Sequence, residues 1–360
     1  MIDRFLELAR LDALSGNERS VADYLLDFAR TRGLSHREDD AGRENSSSAG
    51  NVLITYGDGG KTLFMSHMDT ARSTKRLKPV LHEDRITSDG QTVLGVDNRV
   101  GITALLSALD VIVSQGLQCP GFTLVFTICE ESSLAGSNFL SVPDSITQAY
   151  AFDSSYRPGT YICQAPGAKT FDVEVIGKAS HSGIAPEAGI NALQIAARAI
   201  AELPLGRVDQ ESTMNIGPFS STAATNVIPP RVKFTGEMRS STIAKVEALD
   251  LFLQKHLSKM LDGTGATFIY DSAWDFHPYT IETDAPLRLR LENAITAIGL
   301  KPVGLHSFGG SDVNVLNGKG VPAINLGVGA QNPHSNDEFI LFEDLINATK
   351  IALELMRNAN

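Results

Sequence analysis

Two adjacent glutamates, Glu130 and Glu131, follow the apolar run in "GFTLVFTICEESS". A carboxylate pair at the end of so apolar a strand costs desolvation and mutual repulsion. Other segments repeat the arrangement. "KTLFMSHMDT" ends on His67 and Asp69, and "AYAFDSS" ends on Asp153. "GVDNRVG" sets Asp97 before a long apolar segment, and "NPHSNDEF" sets His334 after the last strand-like run. In open α/β sheets, sites form beyond the carboxyl ends of the strands. Two histidines and several carboxylates converging there have the ligand types of zinc, manganese or cobalt. One catalytic ion with an open position needs about four protein or water ligands. His67, Asp97, Glu131, Asp153 and His334 are five, which two ions sharing a bridging carboxylate would use in full. Two cations would also keep adjacent glutamates ionised, one binding metal while its neighbour handles a proton. Each element alone is weak, since an H-x-D at a strand end is commonly structural and a Glu-Glu pair is commonly solvated. Their order and shared position carry the reading.

Helical spacing of Ile2, Phe5 and Leu6, then of Val21, Tyr24, Leu25 and Phe28, predicts two amphipathic helices at the start. "AGRENSSSAG" (41–50) predicts a polar loop. "NVLITY", "KTLFMSH", "GFTLVFTIC" and "AYAFD" predict strands, the later ones apolar on both faces. "NRVGITALLSALDVIVSQG" predicts a long helix ending at Gly116. Strands alternating with helices imply a mixed α/β sheet with helices on both faces. After Asp153 the texture changes. "KTFDVEVIG", "NALQIAARAIAEL", "STMNIG", "RVKFTGEMR", "TIAKVEALDLFLQKHLSKM" and "ATFIYDSAW" follow the order β-α-β-β-α-β, a ferredoxin-like α+β pattern. From about Phe276 a helix ("APLRLRLENAITAIG") and a strand ("PAINLGV") alternate again. The expected organisation is a first domain of residues 1–165 and 276–360, interrupted by a small inserted domain of residues 166–275.

A chain of 360 residues exceeds what one compact core usually holds, which agrees with two domains. A net charge of −11 argues against nucleic-acid or anionic-membrane partners, which need a basic face. No apolar run approaches membrane-spanning length, and the amino terminus lacks a signal-peptide core. The three cysteines, Cys119, Cys129 and Cys163, have no paired spacing, which suits a reducing compartment. The expectation is a soluble cytoplasmic protein, with Cys129 a small buried hydrophobe.

These segments resemble the metallopeptidase family that includes peptidase T, carboxypeptidase G, aminoacylase and succinyl-diaminopimelate desuccinylase. The likeness covers essentially the whole chain and is greatest to the peptidase T-like branch, through "GKASHSGIAPEAGINA", "GEMRS", "FGGSDVNVLN" and "INLGVG". It implies a zinc-exopeptidase-like catalytic domain interrupted by a dimerisation, or lid, domain. It implies one zinc on His67, Asp97 and Asp153 and another on Asp97, Glu131 and His334, with Asp97 the bridge. Glu130 would be the general base and Asp69 the partner orienting His67. Arg99 stands where the family often has lysine, which leaves the ligands untouched. Co-catalytic zinc aminopeptidases share the ligand order but carry an extra domain between the first histidine and the bridging aspartate, an interval that is short here.

In the inserted domain, His181 alone reads either as a turn histidine with a local hydrogen bond or as a functional group. By resemblance it stabilises an oxyanion, in dimeric members at the partner subunit's site. Arg239 reads as a strand-end salt bridge or, by resemblance, as a clamp on a substrate carboxylate. Asn226, Gly310 and Ser311 join it as candidate substrate-binding residues, although "FGGSDVN" also reads as a plain connection. His36, His82, His256, His277 and His306 fit no ligand pattern. The implied activity is hydrolysis of amide bonds in small peptides by a homodimeric di-zinc enzyme, foremost a tripeptide aminopeptidase. A dipeptidase, a carboxypeptidase, an N-acyl-amino-acid amidohydrolase and a non-catalytic metal-binding relative are the alternatives.

Overall fold

The computed structural model describes residues 1–359. The chain divides into two compact units, one of Met1–Gln164, Thr280–Ser307 and Ser311–Asn360, the other of Ala165–Tyr279 and Phe308–Gly310.

All six residues of Thr62–His67, and all six of Phe122–Thr127, are buried. Successive strand residues point to opposite faces, so these strands are covered on both sides. They lie in the middle of a nine-stranded sheet. Phe122–Thr127, Thr62–His67, Gln148–Ser154 and Ala323–Gly327 are consecutive parallel neighbours. Val52–Tyr56 and then Ser35–Glu38 extend one edge antiparallel. Thr160–Ala165 pairs antiparallel on the other side of Ala323–Gly327. The four parallel strands therefore deliver the residues that follow them to one edge of the sheet.

The helix Val96–Gln115 packs on Thr62–His67 and Gln148–Ser154 and contacts the helices Ile2–Ala9 and Phe342–Arg357. It ends at Gly116, whose φ of +61° suits glycine. At its front Asp97 and Asn98 leave helical geometry, with φ/ψ of −91°/106° and −121°/44°. Asp97 is thereby carried on extended backbone. The serine-rich segment departs from the expected loop, because Ala41–Asn45 is a short helix. Asp39 Oδ1 accepts from the Ala41 amide at 3.0 Å, and Gly42 leaves room for the Ala49 carbonyl, which a Cβ would meet at 2.2 Å.

The second unit is a five-stranded antiparallel sheet ordered Gly206–Arg207, Thr213–Ser220, Arg231–Ser240, Gly167–Ile176, Thr267–Phe276. With the helices Ala192–Ala201 and Ile243–Leu261 this is the β-α-β-β-α-β order plus one two-residue edge strand that periodicity is too short to show. Phe171, Val173 and Val175 alternate into a core completed by Ala192, Ala196, Val246, Leu253 and Leu257. Asn191 and Thr242 cap the two helices, accepting from the Gln194 and Lys245 amides at 3.0 and 3.3 Å. Phe276 still pairs with Ala168, so this unit's last strand runs to Phe276. Phe308 lies under the Arg207 guanidinium at 4.4 Å, and a Cβ on Gly310 would meet the Phe276 ring at 2.2 Å. These contacts place the first half of "FGGSDVN" in the second unit, whereas its second half opens the helix Asp312–Gly318.

Candidate metal centre

His67 ends its strand with its ring buried, and Nε2 lies 3.0 Å from Asp97 Oδ1 and 3.2 Å from Asp153 Oδ1. His334 presents Nε2 at 3.0 Å from Glu131 Oε1 and 3.6 Å from the other Asp97 oxygen, Oδ2. The two oxygens of Asp97 thus face two different histidines. Metal–ligand bonds of about 2.0–2.1 Å place neighbouring donors about 3.3 Å apart around a tetrahedral ion. The four separations, 3.0, 3.2, 3.0 and 3.6 Å, bracket that span. Ligand atoms of His67, Asp97 and Glu131 also lie within 4.8 Å of one another. The donor set fits a pair of divalent cations with Asp97 between them.

Electrostatics agree. Burial would lower the His67 pKa, but Asp153, Asp69 and Asp97 outweigh it and hold it well above its ordinary value. Asp97 and Glu131 raise His334 to about 10. Burial pushes Asp97 up, yet His334 and His67 bring it down to about 2. Burial and then Asp153 lift the Glu130 carboxyl well above the carboxylate range, and burial also raises Glu131.

The neighbours of this cluster account for its geometry. Asp69, fully buried, sets Oδ1 3.3 Å from His67 Nδ1 and accepts Ser15 Oγ at 2.6 Å. Its two oxygens also accept the amides of Glu130 and Glu131, each at 3.1 Å. Glu18, equally buried, accepts the Cys129 amide at 3.1 Å, and Asn51 Oδ1 accepts that of Ile128 at 3.1 Å. Four consecutive amides, Ile128 to Glu131, are thus satisfied by three side chains. That pinning suits a turn whose Cys129 sits at φ +53°. Burial and Glu18 push the Cys129 thiol up to about 12, which makes it inert at neutral pH. Arg99 is wholly buried and donates to the carbonyls of Leu8, Leu11 and Met68, the last at 2.6 Å. It thereby anchors the bend between His67 and Asp69. Asp153 is held by Asn98 at 2.9 Å and Asn325 at 3.1 Å.

Ser15, Glu18, Asn51, Asn98, Asn325 and Glu338 escaped the sequence reading. Most act on backbone amides or through other side chains, so they need no ligand spacing. Their one visible signal is polarity next to apolar runs, as in "SGNE" and "SNDEF".

The remaining candidates make contacts of their own. His181, in the second unit, accepts the Gly183 amide on Nδ1 at 3.2 Å, and the Asn226 carbonyl accepts the Ser182 amide at 2.9 Å. Arg239 forms a forked pair with Glu237 on its own strand, at 3.0 and 2.9 Å. Ser311 is the cap of Asp312–Gly318, sharing reciprocal bonds with Asn314 and receiving Asn325 Nδ2 at 3.4 Å. His36, His82 and His256 bond to Leu34, Thr87 and Ala199. Among the described residues, no helix is long and apolar enough to cross a membrane.

Residues 164–264 match the peptidase dimerisation domain of the M20 family. The chain is 30% identical to the uncharacterized protein YqjE of Bacillus subtilis, over 100% of this chain and 98% of that one. Its fold superimposes on aminopeptidase PepT from Bacillus cereus with a TM-score of 0.89 at 30% identity, covering 99% and 97% of the two chains. A tripeptidase from Staphylococcus aureus gives a TM-score of 0.92 at 29% identity, with the same coverage of 99% and 97%. Since the likeness runs the full length of chain and relatives, this protein belongs to the M20 metallopeptidase family, in its peptidase T-like branch, and is a metal-dependent peptidase.

Proposed function

We propose that the enzyme is a cytoplasmic, homodimeric di-zinc aminopeptidase that removes the first residue of short peptides, tripeptides foremost. The observation that carries the two-ion reading is Asp97, whose Oδ1 is 3.0 Å from His67 and whose Oδ2 is 3.6 Å from His334. His67, Asp97 and Asp153 would hold one ion, and Asp97, Glu131 and His334 the other. Bound zinc supplies Lewis acidity to the scissile carbonyl and makes a water acidic enough to lose a proton near neutral pH. Glu130 would take that proton and return it to the leaving amine. Asp69 fixes the His67 ring and the Glu130 backbone together.

Arg239, with Asn226, Gly310 and Ser311, is proposed to receive the substrate's far end. A substrate carboxylate there must displace Glu237 from the guanidinium fork, which an ammonium could not offer. Turnover of matched di-, tri- and tetrapeptides, acylated amino acids and carboxyl-blocked tripeptides tests both specificity and clamp. Tripeptides with free ends should be cleaved fastest, from the amino end. Blocking the carboxyl group should weaken binding to the native enzyme and scarcely affect Arg239→Lys. Preference for acylated amino acids would overturn the aminopeptidase assignment, and equal sensitivity to blocking would make Arg239 structural.

His181 is proposed to stabilise the negative charge that develops on the attacked carbonyl, a role whose loss costs about 10²–10³-fold in kcat. The matched dimerisation domain and the open edges of its sheet support pairing with a second copy. If His181 serves the partner's site, His181→Ala and Glu130→Gln are each nearly inactive alone. After subunit exchange their mixture should recover up to about a quarter of native turnover, because random pairing leaves one intact site in half of the dimers. Exchange demonstrated without recovery would refute the cross-subunit assignment.

A further inference from the structure

Glu338 follows His334 by four residues and is 2% exposed. Its two carboxylate oxygens reach two separate segments. Oε1 accepts the His334 amide at 2.7 Å. Oε2 accepts the amide of Gly95 at 2.6 Å and that of Val96 at 3.4 Å. Val96 directly precedes Asp97. One buried side chain therefore joins the backbone that carries His334 to the backbone that carries Asp97.

Both tethered residues are in left-handed conformations, Gly95 at φ +77° and His334 at φ +66°. Glycine adopts that region freely, but a histidine holds it only where its surroundings determine it. The bond from the His334 amide to Glu338 is such a determinant, and Arg72 Nη1 donates to the His334 carbonyl at 3.2 Å. His67 and Asp153 depend on other supports: Asp69 for the first, Asn98 and Asn325 for the second. These supports overlap, since Asp69 also accepts the Glu131 amide and Asn98 directly follows Asp97, but it is Glu338 that ties the His334 segment to the segment leading into Asp97.

We propose that Glu338 is a positioning residue that sets the span between Asp97 and His334 and so governs occupancy of the metal subsite formed by Asp97, Glu131 and His334. The assignment rests on the two-ion reading. A shared carboxylate suits this task because it is rigid, acceptor-only and able to bind both segments at once. Glutamine keeps the shape but turns an NH₂ group toward one of the amides, leaving that segment without its partner. Aspartate keeps the charge but is one methylene too short to reach both segments.

Manganese(II), which binds such ligands more weakly than zinc, should resolve the two subsites. Calorimetric titration of the metal-stripped full-length enzyme is expected to show two binding events. In Glu338→Gln one of the two events should weaken by about 10–100-fold, the effect usual for outer partners of metal ligands, while the other stays within a few-fold. Turnover should recover toward the native value as manganese is raised. Glu338→Asp should behave as Glu338→Gln does. Two unchanged events in Glu338→Gln, equal weakening of both events, or native binding in Glu338→Asp would each overturn the positioning role, the last by showing that charge alone suffices. A single event in the native enzyme would instead overturn the two-ion reading beneath it.

Discussion

Glu130→Gln is expected to lower kcat by about 10²–10⁴-fold with metal content unchanged, the range that general-base catalysis supplies. The neighbouring substitution, Glu131→Gln, is expected to lose metal instead. The two side chains leave the same short helix, Glu130–Ser133, and their amides are held alike by Asp69. They differ in what they face. Glu131 Oε1 is 3.0 Å from His334 Nε2, within the donor cluster. Glu130 takes its electrostatic environment mainly from burial, with Asp153, His67, Asp312 and Glu131 around it. Glutamine preserves the volume of either residue, so a collapse of folding would not mimic the result. Metal analysis and steady-state rates on both variants decide it, and the opposite pattern would exchange the roles.

Asp97→Asn is expected to have the largest effect on metal binding. Its two oxygens are the only donors placed toward both His67 and His334 among the described residues. An amide leaves one subsite with a neutral, weaker donor and turns an NH₂ group toward the other, which loses that ligand. Affinity for both ions should fall by more than the roughly 100-fold that loss of an outer partner costs, and turnover should fall with it. Asp153→Asn or His334→Ala should each weaken chiefly one ion. Competition against a chelator of known affinity measures the difference, and an Asp97→Asn enzyme that still holds both ions would rule out the bridge.

How much of this was legible beforehand depended on which physical signal each feature leaves. His67, Glu131 and Asp153 stand out because charged groups at the ends of apolar strands are costly, and the parallel strands bring those ends to one edge. Asp97 and His334 show as a carboxylate before a long apolar helix and a histidine after the last apolar strand. The alternation in "KTFDVEVIG" and the inserted β-α-β-β-α-β order were equally readable, because period-2 and helical patterns survive in a single sequence. The short helix Ala41–Asn45 was not, since its formation depends on tertiary contacts with Asp39 and Ala49 rather than on periodicity. Phe308–Gly310 joins the second unit through Arg207 and Phe276, residues distant in sequence. The amide braces Glu18, Asn51 and Glu338 were hidden for the same reason. A carboxylate that accepts backbone N–H groups can stand at any spacing from the ligands it steadies.

Catalysis by two cations bridged by Asp97 makes a sharp prediction for a zinc titration. The enzyme, stripped of metal by a chelator and verified as metal-free, is reconstituted stepwise while bound zinc and tripeptide turnover are measured in the same samples. Activity should be absent without metal and should reach its plateau as bound zinc approaches two ions per chain. Full activity in verified metal-free protein, or a plateau at one zinc per chain with no further ion bound, would contradict it.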